Sequence, residues 1–117
     1  CVIVQNNMII ARAYNQVELL NDVTAHAEIL AITAASNYLG AKYLTNCKIY
    51  VTLEPCIMCA AAIGLAQIPM LIFGATDSKR GYTNACQHIL HPKTKTISEV
   101  MHKESSLLLK KFFNKKR

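Results

Sequence analysis

Long runs of biased composition are missing from this chain of 117 residues, and their absence excludes several classes of protein. It has no Gly/Ser-rich, Gln-rich or acidic tract, and 52% of its residues are apolar, so we do not expect a disordered segment. The longest apolar stretch, residues 57–73, is interrupted by Gln67 and Pro69, which favours a buried helix and a buried strand over a membrane span. We therefore expect a single domain over residues 1–117.

The chain also lacks a charged-then-apolar signal segment, and it begins with Cys1 rather than Met. The apolar run 1–4 is typical of a strand entered midway, which suggests a fragment or a missing N-terminal element. The five cysteines are an odd number, and without a secretory segment they favour a reducing compartment over a disulfide framework. We therefore expect a cytoplasmic protein, in which Cys1, Cys47 and Cys86 are small buried or half-buried thiols.

Acidic residues are scarce in the C-terminal third, where the basic charge is concentrated. Residues 1–78 hold three Lys/Arg and five Asp/Glu, whereas residues 79–117 hold ten Lys/Arg and two Asp/Glu. A basic terminal helix is typical of contact with phosphate backbones, and it is also typical of a solvated helix face. Charge alone leaves these two interpretations open.

The spacing of apolar residues predicts the order β-β-α-β-α-β followed by a C-terminal tail. The predicted strands cover residues 2–5, 8–14, 47–53 and 70–73, and the predicted helices cover residues 24–39 and 55–66. The tail is predicted to hold a short strand near residues 97–101 and an amphipathic helix over residues 103–114. Alternating helices and strands predict an α/β sheet with helices on both faces, whose sites form at helix N-termini beyond the strand ends.

Five residues mark where the predicted elements begin and end. Asn6 and Asn7 tolerate positive φ, which predicts a tight hairpin between the first two strands. Thr24 is a candidate cap for the first helix, Gly40 is a candidate stop, and Pro55 fits the start of the second helix. The predicted loops are residues 15–23 and 74–85.

Cys56 and Cys59 stand three residues apart at the predicted start of the second helix. This spacing puts both sulfur atoms on one helix face, where the partial positive charge of the N-terminus stabilises thiolates. Two thiolates and an imidazole form a common zinc ligand set, although Cys-x-x-Cys alone is also typical of a redox pair. Pro55 before Cys56 and a second metal-type motif upstream favour zinc.

That second motif is His26-Ala27-Glu28, which also opens a predicted helix. His26 can supply a third ligand and leave the fourth coordination position for water, as a catalytic zinc site requires. Glu28 can reach that water and move its proton. Taken singly, His26 is a typical polar residue at a helix start and Glu28 a typical first-turn acid. Together with Pro-Cys-x-x-Cys, however, His-x-Glu is the signature of zinc deaminases.

The chain resembles the bacterial tRNA-specific adenosine deaminases of the cytidine/deoxycytidylate deaminase superfamily over nearly its whole length. The zinc motifs carry the resemblance to the superfamily, and the Phe-Gly-Ala-x-Asp run and the Leu-Leu-x-x-Phe-Phe ending narrow it to the family. The matching segments are residues 24–29, 49–59, 73–81 and 108–113. Members of the family usually have an N-terminal helix, which we expect to be missing from this chain.

The resemblance implies a three-layer α-β-α sandwich of the cytidine deaminase type, with a mixed central sheet of about five strands. It also implies hydrolytic deamination of the wobble adenosine in a tRNA anticodon stem-loop, which gives inosine. The implied enzyme holds one Zn²⁺ per subunit and is a homodimer, with the RNA crossing both subunits.

Site residues follow from the same matches. The implied metal ligands are His26, Cys56 and Cys59, and the implied catalytic acid and base is Glu28. The implied substrate contacts are Asn15 on the target nucleotide, the backbone N–H of Ala27, Asp77 beside the ribose, and Lys79 on a flanking phosphate. Each contact also has a plainer interpretation, because Asn15 is a typical turn residue, Asp77 a typical loop cap and Lys79 a typical solvated lysine.

Two other functions fit part of the sequence. A deaminase of a free base or nucleoside, of the guanine or cytosine type, would use the same zinc site. A non-catalytic, zinc-stabilised RNA-binding domain would need a fourth protein ligand, and none is spaced for it, although His88, His91 and His102 could be proposed.

Overall fold

The computed structural model describes residues 1–86 and 88–115, and its centre is one five-stranded sheet. The strands are β1 (Val2–Gln5), β2 (Met8–Arg12), β3 (Cys47–Leu53), β4 (Met70–Ala75) and β5 (Lys95–Ile97), in the spatial order β2-β1-β3-β4-β5. Strand β1 is antiparallel to β2 and β3, whereas β3, β4 and β5 are parallel. The predicted mixed sheet of about five strands is therefore confirmed.

Helices cover both faces of this sheet. They are α1 (Val17–Leu20), α2 (Ala27–Leu39), α3 (Ile57–Leu65), α4 (Tyr82–Ala85) and α5 (His102–Lys115). Helices α2 and α3 contact each other and share one buried core with Phe73 of β4. The neighbouring Gly74 points to the opposite face, where it lies against Ser105 of α5. The α/β fold with helices on both faces is thus confirmed.

The core lies between the sheet and helices α2 and α3. Ile3, Ile49 and Leu71 occupy facing positions on β1, β3 and β4, and all three are fully buried. Ala31 and Ala35 are the fully buried residues that α2 contributes to this core. Because alanine side chains are short, the helix can lie close to the sheet.

The predicted hairpin joins β1 to β2. Asn6 and Asn7 have φ values of 53° and 62°. Two consecutive positive φ values are the requirement of a type I′ turn, whose twist matches that of the flanking strands. Asparagine adopts this conformation at lower cost than most residues, so the hairpin prediction is confirmed.

The first long helix begins later than its predicted cap. Thr24 does not cap it, because the helix begins at Ala27 and its N-cap is two residues after Thr24; the Thr24 hydroxyl donates a hydrogen bond to Asp22 at 2.7 Å. The N-cap is His26, which has an extended backbone, and the helix ends at Gly40 with φ of 62°. The predicted stop at Gly40 is confirmed, and the predicted start was two residues too early.

The other differences between the predicted and the observed secondary structure involve short helices and strands. The predicted loop 15–23 contains α1, and the predicted loop 74–85 contains the end of β4 and all of α4. Strand β5 lies at Lys95–Ile97, two residues before its predicted start. Four residues make little more than one helical turn, so they show no apolar periodicity that a sequence pattern could detect. Residues 116 and 117, the last of the basic tail, lie outside the described residues.

Among the residues that the structure describes, no helix has the length and apolar character needed to cross a membrane.

We expect Gly40→Ala to destabilise the protein by about 1 kcal/mol, because a Cβ at this positive φ is strained. No described atom lies within 4 Å of that Cβ position, so crowding should add nothing. Gly40→Asn is the matched control, since asparagine tolerates this conformation, and it should cost less. Urea unfolding of the metal-loaded protein measures both, and equal losses for the two variants would contradict this assignment of strain.

Candidate active site

Two helix N-termini meet at the carboxyl end of β3. His26 is the N-cap residue of α2, and Cys56 is the N-cap residue of α3, which follows β3 after Glu54 and Pro55. Both cap residues have extended backbones, with ψ of 153° at His26 and 172° at Cys56. The predicted helix start at Pro55 was therefore two residues too early, and the extended backbone of Cys56 directs the chain from strand to helix.

The Cys-x-x-Cys spacing brings the two cysteine side chains together at the N-terminal end of α3. Cys56 is the N-cap residue and Cys59 is the third residue of α3, the same pair of positions whose side chains meet in a capping box. The two sulfur atoms therefore approach each other on one side of the helix, as the spacing predicted. Cys59 is fully buried, whereas Cys56 is half-buried.

His26, Cys56 and Cys59 form one cluster of potential metal ligands. The His26 Nδ1 atom lies 3.6 Å from the Cys56 sulfur and 3.5 Å from the Cys59 sulfur. All three ligand atoms lie within 4.8 Å of one another. A tetrahedral zinc ion with the usual bond lengths to sulfur and imidazole nitrogen separates such atoms by about 3.5 Å. The three side chains therefore fit Zn²⁺ without rearrangement.

No fourth protein ligand joins this cluster among the residues that the structure describes. Other described groups of three or more potential ligands are also lacking, so His88, His91 and His102 do not take part. His88 and His91 instead line a separate cavity of about 420 Å³ beside Tyr82. A metal ion on His26, Cys56 and Cys59 would thus keep one coordination position for solvent or substrate.

Burial opposes ionisation of Cys59 when no cation is present. It raises the pKa of the Cys59 thiol, and the Glu28 carboxylate and the Cys56 sulfur beside it raise that pKa further. The sequence predicted thiolates held by a zinc ion and the helix N-terminus, and the opposing effect of burial could not be detected from motif spacing. A divalent cation reverses this balance, since coordination deprotonates a thiol outright.

Glu28 lies in the first turn of α2, two residues after His26, and only 8% of its surface is exposed. Its carboxyl group is close enough to the Cys59 sulfur to hydrogen-bond with it and to affect its pKa. It does not belong to the ligand cluster in the described part of the chain. A buried acid beside a metal site, free of coordination, can accept and return protons there.

Asn15 lies just before α1, and Ala27 is the first residue of α2; a backbone hydrogen bond joins the neighbourhoods of the two residues. The Asn15 side-chain oxygen accepts a hydrogen bond from the Val17 N–H at 3.0 Å, which is the turn role that the sequence also allowed. The next residue, Gln16, donates its N–H to the Ala25 oxygen at 2.9 Å, which joins this segment to the start of α2. Ala27 is the first residue of α2, where backbone N–H groups lack an intrahelical acceptor.

Asp77 and Lys79 lie on the loop that follows β4, and the Asp77 carboxylate caps that loop. Its Oδ1 atom accepts hydrogen bonds from the N–H groups of Lys79 and Arg80, both at 3.0 Å. These contacts use one carboxylate oxygen, so the other is available to a ligand. The Lys79 side chain is exposed.

Glu54 is a buried acid that the sequence analysis did not single out. It lies between β3 and Pro55, and 4% of its surface is exposed. Its carboxylate accepts hydrogen bonds from Asp77, in the loop after β4, and from Thr83, in α4. The only sequence signal was its position directly before Pro-Cys-x-x-Cys, and position alone does not distinguish a buried acid from a solvated one.

Comparisons with known proteins agree with this geometry. The family model of the MafB19-like deaminases matches residues 1–117. The tRNA-specific adenosine deaminase of Aquifex aeolicus (strain VF5) is 45% identical over 120 residues, which cover 99% of this chain and 80% of that protein.

Two solved structures extend the comparison. One, from studies of A-to-I editing by tRNA:A34 deaminases, has a TM-score of 0.84 at 42% identity and covers 92% of this chain and 81% of its own. Guanine deaminase from Bacillus subtilis has a TM-score of 0.65 at 32% identity and covers 97% of this chain and 77% of its own.

We expect Cys56→Ser to lower the zinc content from about one ion per chain to a small fraction, because a hydroxyl is a poor zinc ligand. Cys86→Ser is the matched control, since Cys86 is exposed and lies outside the ligand cluster. Elemental analysis after dialysis measures both variants. Full zinc occupancy in Cys56→Ser would contradict the assigned ligand set.

Proposed function

We propose that this chain, which belongs to the MafB19-like deaminase family, is a zinc-dependent hydrolase that converts the wobble adenosine of a tRNA anticodon to inosine. The observation that carries the proposal is the open His26-Cys56-Cys59 cluster with the buried Glu28 beside it. Similarity to a tRNA-specific adenosine deaminase and to a tRNA:A34 deaminase structure supports the choice of substrate. We propose residues 1–117 as one deaminase domain that acts in the cytoplasm.

The metal site supplies the nucleophile. His26 and the two cysteine thiolates would hold one Zn²⁺ per subunit, and together they balance its charge. When bound, zinc lowers the pKa of a coordinated water molecule toward about 7, which makes that water reactive at neutral pH.

Glu28 moves the protons. Deamination forms a bond from the water oxygen to C6 of adenosine and breaks the bond from C6 to the exocyclic amine. Glu28 accepts a proton from the attacking water and gives it to the adjacent ring nitrogen. It then takes the remaining proton from the hydroxyl now attached to C6 and transfers it to the amine, so that the C6 carbonyl of inosine forms as the amine leaves as ammonia. The burial of Glu28 supports this role, because it keeps bulk water from competing for these protons.

Four residues around the metal site are proposed to hold the target nucleotide. The Asn15 amide would contact the target nucleotide, and the Ala27 N–H, at the positive end of α2, would hold the base or the attacking water. Asp77 would accept a hydrogen bond from the ribose through its available carboxylate oxygen, and Lys79 would contact a flanking phosphate. The hydrogen bond that joins residues 16 and 25 supports a shared site for the first two.

The RNA partner is supported by exposed positive charge on the last helix. Lys103, Lys110 and Lys111 are all exposed on α5. Lysines on one element attract phosphates, and a base in an anticodon loop is already unpaired, so moving it into the site costs little.

A homodimer is supported by an apolar stripe on the metal-binding helix. Ile57, Ala61 and Leu65 stand four residues apart on α3 and so share one face. Ile57 is 45% exposed and Leu65 is 77% exposed. Exposed apolar stripes of this kind commonly mark protein contacts, and a second copy would cover this one.

We expect Glu28→Gln to lower the rate of inosine formation by at least about 100-fold while zinc remains bound, because an amide cannot shuttle the protons. The assay incubates the zinc-loaded protein with an anticodon stem-loop carrying adenosine at the wobble position. Inosine is read as guanosine on sequencing. Glu104→Gln, an exposed acid on α5, is the matched control and should retain full activity.

The same assay separates the alternatives. If the wild-type protein left the stem-loop unchanged but deaminated free guanine or another free base, the RNA substrate would be wrong. Salt gives a second readout, because RNA turnover should weaken steeply between about 50 and 200 mM salt, whereas turnover of a neutral base should barely change.

We expect Leu65→Glu to convert a dimer into a monomer, because it puts a charge into an apolar contact. Leu107→Glu, at an exposed leucine of α5, is the control and should remain dimeric. Sedimentation velocity measures both. A monomeric wild-type protein, or a Leu65→Glu variant that stays dimeric, would rule out this face as the interface.

A further inference from the structure

We propose that Glu54 is a positioning residue for the substrate loop. Its buried carboxylate ties residues 76–81, the loop that carries Asp77, and the start of α4 to the N-terminal end of the metal-binding helix α3. This inference rests on the proposed function, because it concerns how tightly the same site holds its target nucleotide.

The contacts of the Glu54 carboxylate use both of its oxygen atoms. Oε1 accepts a hydrogen bond from the Asp77 N–H at 3.0 Å. Oε2 accepts hydrogen bonds from the Thr83 N–H at 3.1 Å and from the Thr83 hydroxyl at 2.7 Å. The group thus holds both ends of the loop at once, with Asp77 near its beginning and Thr83 just after it.

Backbone contacts join the same two segments. The Glu54 N–H donates to the Ala75 oxygen at 2.8 Å, and the Tyr82 N–H donates to the Pro55 oxygen at 2.9 Å. Cys56 and Gly81 form an isolated antiparallel bridge. The loop is therefore seated directly on the residues that lead into the metal cluster.

Gly81 shows how tightly the loop closes over this carboxylate. A Cβ at Gly81 would collide with both oxygen atoms of Glu54. The φ of Gly81 is −62°, which any residue adopts, so the backbone conformation does not require glycine here. Close approach to the Glu54 carboxylate is what requires it.

The Glu54 side chain is the acceptor in all three of its hydrogen bonds, and both of its terminal atoms take part. Only a carboxylate has two acceptor atoms in these positions. An amide has one acceptor oxygen and one NH₂ group. In Glu54→Gln the NH₂ group would face either the Asp77 N–H or the Thr83 N–H, so at least one backbone donor would lose its acceptor. The variant is almost isosteric, and it therefore removes the contact to the loop with little change in packing.

The expected consequence is a looser loop around an intact metal site. Glu54 is not a member of the ligand cluster in the described chain, and its side chain contacts the loop. Asp77, which the proposed function assigns to the target ribose, is then held less firmly, because either its own N–H or the Thr83 N–H at the other end of the loop has lost its acceptor. Weaker positioning of Asp77 should weaken substrate binding more than it slows the chemical step at Glu28.

The first measurement does not depend on the substrate. Hydrogen exchange of the zinc-loaded dimer or monomer, as purified, should show faster exchange of the segment 76–86 in Glu54→Gln than in wild type, by about tenfold or more. Exchange of α2 should be unchanged, and Glu104→Gln should match wild type throughout. Unchanged exchange in the loop, or faster exchange over the whole chain, would overturn the proposal.

The second measurement is steady-state kinetics on the anticodon stem-loop, with rates expressed per bound zinc. In Glu54→Gln we expect KM to rise about tenfold, kcat to stay within about threefold, and zinc to remain at one ion per chain. A purely structural role would lower the amount of active enzyme and leave KM unchanged, and that result would overturn the proposal.

Variants at Thr83 keep the proposal testable if Glu54→Gln does not fold. Thr83→Val removes only the hydroxyl donor and should raise KM by a smaller factor, about threefold, whereas Thr83→Ser keeps the hydroxyl and should restore the wild-type KM. Equal KM values for Thr83→Val and Thr83→Ser would contradict the proposed role.

The two measurements separate this inference from the proposed function. If wild-type protein does not modify the stem-loop, the proposed function fails, and the exchange measurement alone decides whether Glu54 holds the loop. If wild-type protein forms inosine while Glu54→Gln shows normal loop exchange and normal KM, the function stands and the inference fails.

Discussion

The packing of α2 against α3 on one face of the sheet is the contact on which the site depends. The sequence separates His26 from Cys56 by thirty residues, and only this packing brings their side chains within 3.6 Å. Fully buried small residues, Ala31 and Ala35 in α2 and Ala60 in α3, let the helices and the sheet approach closely. The N-terminal ends of both helices then meet beyond the end of β3, where the three potential metal ligands are cap or first-turn residues.

The same packing buries an acid and a thiol, Glu28 and Cys59, whose charged forms are costly to bury. Both groups belong to the proposed active site. Glu28 and Cys59 are both shielded from water, and burial together with the Glu28 carboxylate raises the pKa of the Cys59 thiol when no cation is present. A metal ion on the cluster offsets that cost, so metal binding and stability of the site should be coupled. Glu54 is buried on the other side of the Pro55-Cys56 segment, where backbone N–H groups rather than a metal satisfy its charge. One short segment thus links the metal cluster to the loop that carries Asp77.

Local signals were predictable from the sequence, and long-range consequences of packing were not. The Asn6-Asn7 turn and the stop at Gly40 depend on the backbone freedom of single residues, so their sequence signal is direct. The clustering of His26, Cys56 and Cys59 was predictable because two motifs each have a spacing that suits a helix start. The Thr24 cap was wrong because the chain stays extended through His26, so the helix begins two residues later than the capping residue type indicated. Glu54 was missed because its importance comes from burial against a loop more than twenty residues away in the chain.

The central claim is that three side chains hold a zinc ion and leave one position open beside Glu28. X-ray absorption at the zinc edge of the purified protein tests this most directly. The account predicts two sulfur neighbours at about 2.3 Å, one imidazole nitrogen at about 2.0 Å, and one further light atom supplied by solvent. A spectrum with a second imidazole or a third sulfur in the fourth position would contradict it, because a closed site has no place for the reacting water.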